Sequence, residues 1–261
     1  MPDDEIVLAE TRGRVRLLTI NRPHVYNALN TAVLTSLASL AASAVKDGMR
    51  AVVLTGTGNR AFSAGADLDE FTGLDAVAAQ ARLRAGQSVM NAIESLPVPV
   101  IAAVNGLALG GGFELVLAST FSVLSTRAAL GLPESGLGMI PGYGGTQRLP
   151  LAVGRATATH AMLTGERIPA ERAYELGLTP VPPVAPEELI DRALGIADTI
   201  AAKGPNAQSA ILAALRTTSP EAHGLALEVN LGAVAAGSSE AAEGIAAFLE
   251  KRSPDFEAAA R

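Results

Sequence analysis

The chain is organised around one glycine-rich stretch, Val104-Asn-Gly-Leu-Ala-Leu-Gly-Gly-Gly-Phe-Glu114. The apolar, β-branched run Val100 to Val104 predicts a strand, and Phe113 to Leu117 predicts the first turns of a helix. Gly110 to Gly112 therefore fall at a strand-to-helix junction, where backbone N–H groups are exposed to a ligand oxygen and the helix dipole favours negative charge. A purely structural alternative stays open here, in which the glycines only permit tight packing and Glu114 is a solvated helix residue.

Composition limits the classes of protein to consider. The chain has 261 residues, of which 49% are hydrophobic, 18% charged and 3% aromatic, which is typical of a globular protein with an aliphatic core. A net charge of -6 and few aromatic residues argue against nucleic acid or an anionic membrane surface as a partner. There is no cysteine, the first residues are acidic, and no apolar run approaches transmembrane length. We therefore expect a cytoplasmic protein that binds neither nucleic acid nor membrane.

The order of predicted elements indicates an α/β protein. Two strands joined by a turn at Gly13 come first, and an amphipathic helix from Thr31 to Val45 leads to a strand at Ala51 to Leu54. A second helix, from about Ala76 to Leu96, is stopped by prolines just before the glycine-rich stretch. Beyond the strand around Phe121 to Leu124 and a packed loop at 131–145, the chain reads as helices at 155–163, 169–175, 186–202, 207–216, 222–235 and 239–250. The prolines between 180 and 186 predict a division into an α/β core, 1–185, and a helical C-terminal region, 186–261.

Two glutamates occupy settings that suit acid–base chemistry. Glu114 follows the glycines, and Glu134 lies between Pro133 and Ser135 in the Gly-rich loop. In a pocket poor in water, desolvation and mutual repulsion would raise at least one pKa, so that the two could divide acid and base roles. Taken singly, each glutamate is also compatible with a surface position.

A serine hydrolase is the rival class that the motifs raise. Ala61-Phe-Ser63-Ala-Gly65 lacks only the first glycine of the G-x-S-x-G nucleophile elbow. None of the three histidines, His24, His160 and His223, follows it in a setting typical of a triad, which disfavours this class. Dinucleotide and P-loop fingerprints are incomplete, and no pattern supports a metal site.

Several motifs together resemble the enoyl-CoA hydratase/isomerase (crotonase) superfamily, and the similarity extends over nearly the whole chain. They are Asn21-Arg-Pro with Asn27-Ala-Leu, Ala61-Phe-Ser-Ala-Gly-Ala-Asp67, Asn105-Gly-x-Ala-x-Gly-Gly-Gly-x-Glu114, Pro133-Glu134, Gly138-x-x-Pro-Gly-x-Gly-Gly-Thr-Gln-Arg-Leu149, Leu163-Thr-Gly165, Ala173-x-x-Leu-Gly-Leu178 and Glu243-Gly-x-x-Ala-Phe-Leu-Glu-Lys-Arg252.

The resemblance implies a spiral of ββα repeats with a helical C-terminal trimerisation region, and a homotrimer or a dimer of trimers. It implies that the backbone N–H groups of Ala66 and Gly111 form an oxyanion hole for the thioester oxygen of an acyl-CoA. Glu114 would act mainly as the base toward water, and Glu134 would supply the α-proton. Coenzyme A would be part of the substrate, with no separate cofactor and no metal.

Further positions are implied to contact the substrate or its CoA: Tyr26, Ala64, Asp67, Leu68, Gly110 and Lys251. His24-Val25-Tyr26 departs from the family pattern, in which small residues and often a lysine occur. Lys251 matches a family lysine that can approach the CoA phosphates, in some members across a subunit boundary; an ordinary solvated cation at a helix end is the alternative.

The resemblance thus predicts hydration of trans-2-enoyl-CoA to 3-hydroxyacyl-CoA. An enoyl-CoA isomerase or a dehydratase of a specialised acyl-CoA is the alternative within the family. A non-catalytic acyl-CoA-binding module, or a serine hydrolase using Ser63, is the alternative from another class.

Overall fold

The computed structural model describes residues 5–216, 239, 243, 247 and 250–259. Its strands are β1 (Val7–Arg12), β2 (Val15–Ile20), β3 (Ala51–Gly56), β4 (Ala61–Ser63), β5 (Val100–Val104), β6 (Leu107–Leu109), β7 (Phe121–Leu124), β8 (Ala129–Gly131) and β9 (Ile168–Pro169). Its helices include α1 (Thr31–Lys46), α2 (Ala76–Glu94), α3 (Gly111–Ala118), α4 (Gly145–Val153), α5 (Arg155–Thr164), α6 (Ala170–Glu175), α7 (Leu189–Ala201), α8 (Pro205–Leu215) and α9 (Phe256–Ala259). Short 3-10 helices lie at Pro23–Val25, Leu68–Phe71, Glu134–Leu137 and Pro186–Glu188.

A five-stranded sheet in the order β1-β2-β3-β5-β7 forms the centre of the molecule. All six residues of β3 are buried, because both faces of the sheet are covered. Side chains alternate between the two faces of a strand, so Val52 and Leu54 join the apolar cluster that includes α1, whereas Ala51 and Val53 pack in the cluster that includes α7. This double burial explains why β3, β5 and β7 are largely apolar strands that pair in parallel.

A second sheet contains four strands in the order β4-β6-β8-β9. β3 is followed by β4, β5 by β6 and β7 by β8, so each turn of the chain contributes one strand to each sheet before a helix. β4, β6 and β8 are adjacent and parallel, and their carboxyl ends therefore lie side by side. This is the spiral of ββα repeats that the family resemblance implies, and it confirms the α/β assignment.

The glycine-rich stretch differs in one detail from the prediction. The strand Val100–Val104 does not lead directly into the glycines, because the three-residue strand Leu107–Leu109 intervenes in the second sheet. β4 and β8, at Ala61–Ser63 and Ala129–Gly131, were also not predicted. All three strands are only three residues long, too short for an alternating pattern to identify.

The predicted helices match the structure to within a few residues where the structure describes them. The helix predicted at 222–235 and most of that at 239–250 lie outside the described residues. The division at residue 185 stays a prediction, although the first helix beyond it, α7, packs Leu189, Ala193 and Ala197 against the central sheet. The role of the C-terminal region in trimerisation also stays a prediction. Within the described part of the chain, no helix has the length and apolarity needed to cross a membrane.

Candidate active site

One cavity of about 260 Å³ lies at the carboxyl ends of β4, β6 and β8. Residues 64–68 follow β4, residues 110, 111 and 114 follow β6, and residues 133–134 follow β8. The remaining wall is largely apolar and comes from the loop after β2, the 3-10 helices after β4 and β8, α2 and the loop before α4: Ala28, Phe71, Leu83, Leu137, Met139, Ile140, Gly142 and Tyr143. Three successive turns of the spiral thus each contribute one segment to a single site.

Two backbone N–H groups converge on this cavity. A Cβ at Gly111 would lie 3.3 Å from the Ala66 nitrogen, and a Cβ at Gly65 would lie 3.4 Å from the Gly111 nitrogen, so the two donors are close neighbours. Gly111 is the first residue of α3, where an N–H has no partner within the helix. Neither the Ala66 nor the Gly111 N–H donates to another residue in the described ranges. Both groups are available to a ligand oxygen, and the positive end of α3 adds to the attraction.

Glu114 is held rigidly at the inner wall of the cavity. The residue is 2% exposed, and its Oε1 accepts hydrogen bonds from the Tyr143 N–H at 2.8 Å and the Gly145 N–H at 2.7 Å. Burial raises the pKa of Glu114 above its ordinary value, whereas these N–H groups and the charge of Arg148 oppose the rise. The carboxylate is therefore oriented by two donors and keeps its second oxygen for another contact.

Glu134 faces the same cavity in a different environment. Its Oε2 is buried and finds no hydrogen-bond partner among the described residues, and its Oε1 would lie 3.0 Å from a Cβ at Gly110. Burial raises the pKa of Glu134 to about 7, the residue's own backbone N–H opposes the rise, and the charge of Glu114 adds to it. Near neutral pH the two glutamates thus differ, with Glu134 the one that readily carries a proton.

The support for Glu114 comes from a loop whose role the sequence did not reveal. Gly144, at φ 114°, separates the two N–H donors of residues 143 and 145, and both can then point at one oxygen. The Tyr143 side chain packs against Gly111, and its ring atoms would lie 3.0 Å from a Cβ there. Burial raises the pKa of Tyr143 to about 12, so its phenol stays protonated at neutral pH. In the sequence, only the adjacent glycines 144 and 145 indicate that the backbone of this loop approaches another group closely.

Most of the positions predicted to contact substrate line this cavity, and two do not. Ala64, Ala66, Asp67, Leu68, Gly110, Gly111, Glu114 and Glu134 all belong to its wall.

Among these, Asp67 also forms a half-buried ion pair with Arg22 at 2.9 Å, which ties the segment after β4 to the loop after β2. Tyr26 and Lys251 are not part of the cavity lining. Tyr26 has a left-handed backbone, and the guanidinium of Arg60 lies 4.2 Å from the centre of its ring. Contacts of Tyr26 and Lys251 with CoA stay predictions.

The environment of Ser63 does not suit a nucleophile. The side chain is 0% exposed, its Oγ accepts a hydrogen bond from the Gly65 N–H at 3.2 Å, and it is not part of the cavity wall. His160 lies on α5 beside Glu166, and His24 lies in a 3-10 helix after β2. Neither is bonded to Ser63, and His223 lies outside the described residues. The burial of Ser63 outside the cavity wall argues against the serine hydrolase alternative.

Comparison with known proteins gives a consistent result over almost the full chain. The family model described as enoyl-CoA hydratase/isomerase matches residues 10–259. A probable enoyl-CoA hydratase of Bacillus subtilis is 42% identical over 93% of this chain and 95% of its own length. A crotonyl-CoA hydratase of Syntrophomonas wolfei is 38% identical over 97% of this chain and 98% of its own.

A solved structure leads to the same assignment. The crystal structure of an enoyl-CoA hydratase from Bacillus anthracis superposes with a TM-score of 0.92 at 36% identity, covering 97% of this chain and 99% of that chain. Sequence and structure agree over the same residues, including the segments that form the cavity. This chain belongs to the enoyl-CoA hydratase/isomerase family and is an enzyme of the enoyl-CoA hydratase type.

Proposed function

We propose that the protein adds water to trans-2-enoyl-CoA thioesters to give 3-hydroxyacyl-CoA, using Glu114, Glu134 and the N–H groups of Ala66 and Gly111. The observation that carries this proposal is the meeting of the buried Glu114, the half-buried Glu134 and two free backbone donors in one largely apolar cavity. The relatives named as hydratases support the same reaction.

The thioester oxygen is the group that the two backbone donors would bind. When the oxygen of water bonds to C3, the electron pair of the double bond moves through C2 onto this oxygen. The Ala66 and Gly111 N–H groups stabilise the resulting enolate, and one such donor contributes about 3–4 kcal/mol in comparable sites. Because the donors are fixed by β4 and α3, they need no rearrangement when the charge develops.

The two glutamates would divide the proton transfers. Glu114, oriented by the Tyr143 and Gly145 N–H groups, accepts a proton from the attacking water. Glu134, whose raised pKa keeps it largely protonated up to about neutral pH, donates a proton to C2 of the enolate. The product gains one water, and the two carboxyl groups regain their starting states by exchanging a proton with solvent or with each other.

The substrate supplies the only coenzyme that this reaction needs, since CoA is the thiol part of the thioester. The residues proposed to contact the substrate or its CoA are Ala64, Asp67, Leu68 and Gly110 in the cavity wall, with Tyr26 and Lys251 outside it. Glu114 and Glu134 are the groups proposed to touch the reacting atoms.

Purified protein with crotonyl-CoA tests this proposal through the loss of the enoyl thioester absorbance. Glu114→Gln and Glu134→Gln keep the size of each side chain but remove the proton exchange, so each should lower kcat by about 10²–10⁴-fold with a smaller effect on KM. Circular dichroism of each variant is the control for folding.

Three outcomes would count against this reaction or its mechanism. Near-wild-type activity in both glutamine variants would contradict the two-carboxylate mechanism. Movement of the double bond without incorporation of oxygen from labelled water would favour an isomerase. Release of free CoA that is abolished in Ser63→Ala would favour a hydrolase.

A further inference from the structure

The loop that holds Glu114 is itself fixed by one side chain, Arg148. Arg148 Nη1 donates to the Tyr143 carbonyl oxygen at 3.1 Å, and Tyr143 is one of the two residues whose N–H binds Glu114. The guanidinium lies against Gly144, where a Cβ would overlap it. Arg148 therefore restrains the peptide groups on either side of the two N–H donors.

The guanidinium is in turn held by α2. Its Nη2 donates to Asn91 Oδ1 at 2.8 Å and to Glu94 Oε2 at 2.6 Å, and its Nε donates to the same carboxylate at 3.2 Å. The Arg148 side chain is 14% exposed. A planar guanidinium that binds three groups in one plane cannot be replaced by the point charge of a lysine.

We propose that Arg148 is a positioning residue for the Glu114 base, and that its attachment to Asn91 and Glu94 makes the docking of α2 against the 143–145 loop a requirement for catalysis. The inference rests on the proposed role of Glu114. It assigns a part in the reaction to a side chain that lines no part of the substrate cavity.

Two physical effects follow from this geometry. Loss of the guanidinium frees the 143–145 loop to move, and a displacement of about 1 Å at a catalytic base can cost on the order of 10² in rate. The positive charge also favours the ionised form of Glu114, against the burial that opposes it. The charged groups that bear on Glu114 are Arg148 and Glu134, and Glu94 faces Arg148 from α2.

Arg16 supplies a matched control for Arg148. It has a similar side-chain exposure, 12%, and a similar partner, Asp47 at 2.9 Å with 52% of its side chain exposed, against 42% for Glu94. Arg16 lies on β2 and is not part of the cavity lining. A purely structural effect of losing a half-buried arginine ion pair should be similar at the two positions.

The experiment compares Arg148→Met, Arg148→Lys and Arg16→Met in the full-length protein with crotonyl-CoA. We expect Arg148→Met to lower kcat by about 10–100-fold with KM changed less than about threefold, and the acidic limb of kcat/KM to move to higher pH. Arg148→Lys should keep that limb in place, because the charge remains, and should recover part of kcat. Arg16→Met should lose thermal stability while keeping kcat.

The proposal is overturned if folded Arg148→Met keeps the wild-type kcat, if its acidic limb does not move, or if Arg16→Met loses as much activity. If Arg148→Met does not fold, Glu94→Ala provides the test, because it removes the half-exposed anchor on α2. A several-fold fall in kcat with Glu94→Ala supports the proposal, and an unchanged kcat overturns it. Glu114→Gln measured beside these variants separates the two ideas: full activity in Glu114→Gln contradicts the proposed base, whereas loss there with full activity in Arg148→Met contradicts only the role of Arg148.

Discussion

Glu134→Gln should stabilise the protein against unfolding at pH 8 while it removes activity. The carboxylate of Glu134 is poorly solvated in the folded protein, where Oε2 has no hydrogen-bond partner in the described ranges and burial raises the pKa to about 7. In the unfolded chain the same group ionises near its ordinary value of 4.5. Between these two values the folded state binds more protons than the unfolded state, so this residue's contribution to stability falls as pH rises from 4.5 to 7 and is constant above that window.

The size of the effect follows from the two pKa values. The interval from 4.5 to about 7 corresponds to about 3 kcal/mol at 1.36 kcal/mol per pH unit. Glu134 keeps some contact with solvent in the cavity, so we reduce this figure to about 2 kcal/mol. A neutral glutamine does not ionise, and the variant should therefore gain about 2 kcal/mol relative to wild type between pH 5 and pH 8. For a chain of this length, that gain corresponds to a rise in Tm of about 4–8 °C.

Thermal unfolding of both proteins at pH 5 and pH 8 measures the effect, with Glu187→Gln as a control for replacing an exposed glutamate. The quantity of interest is the difference in Tm between variant and wild type at pH 8, minus that difference at pH 5. A value near zero for Glu134→Gln would refute the reasoning, because it would mean that the carboxyl group ionises alike in the folded and unfolded states. A positive value in both Glu134→Gln and Glu187→Gln would refute it as well.

Three further predictions concern rate, substrate and assembly. If Glu134 acts as an acid, kcat/KM should fall about tenfold per unit above pH 7, and a flat profile from pH 6 to 9 would exclude that role. The described cavity wall has acidic groups but no lysine or arginine, so hex-2-enoyl-CoA should be favoured at least tenfold in kcat/KM over the same chain ending in a carboxylate; equal values would contradict this. The exposed side chains of Leu151, Leu163 and Leu215 favour a trimer or hexamer, which light scattering should detect, and a stable monomer at micromolar concentration would oppose it.

The sequence predicted those parts of the fold whose pattern is local and long. α1, α2 and the strands of the central sheet have enough residues for a period of 3.6, or for a continuous apolar run, to be distinguished. β4, β6 and β8 have three residues each, and their existence depends on pairing with strands from neighbouring turns of the spiral. Such pairing cannot be deduced from three residues, so the residue pattern alone does not predict the second sheet, and only the family resemblance implies it.

The candidate site divides in the same way. The sequence indicates Glu114 and Glu134 as candidates, because Glu114 comes shortly after three consecutive glycines and Glu134 directly after a proline. Arg148 did not, because its significance lies in contacts with residues 54 and 57 positions earlier and with a loop carbonyl. The resemblance to a family implied roles for the two glutamates, whereas the contacts that orient Glu114 became visible only in three dimensions.

The spiral explains why residues far apart in sequence can form one site. Each turn places a short strand of the second sheet beside the previous one, and Ala66, Gly111 and Glu134 all lie within three residues of the end of such a strand. The strand spacing fixes how far apart these groups are, since adjacent strands lie about 4.8 Å apart. A thioester oxygen can then contact the first two groups while its α-carbon approaches the third. The proposed base is held differently, because Glu114 lies inside α3 and its carboxylate is oriented by the N–H groups of the 143–145 loop. We therefore expect substitutions in the 143–145 loop, or of Arg148, to change the reaction rate without loss of the fold.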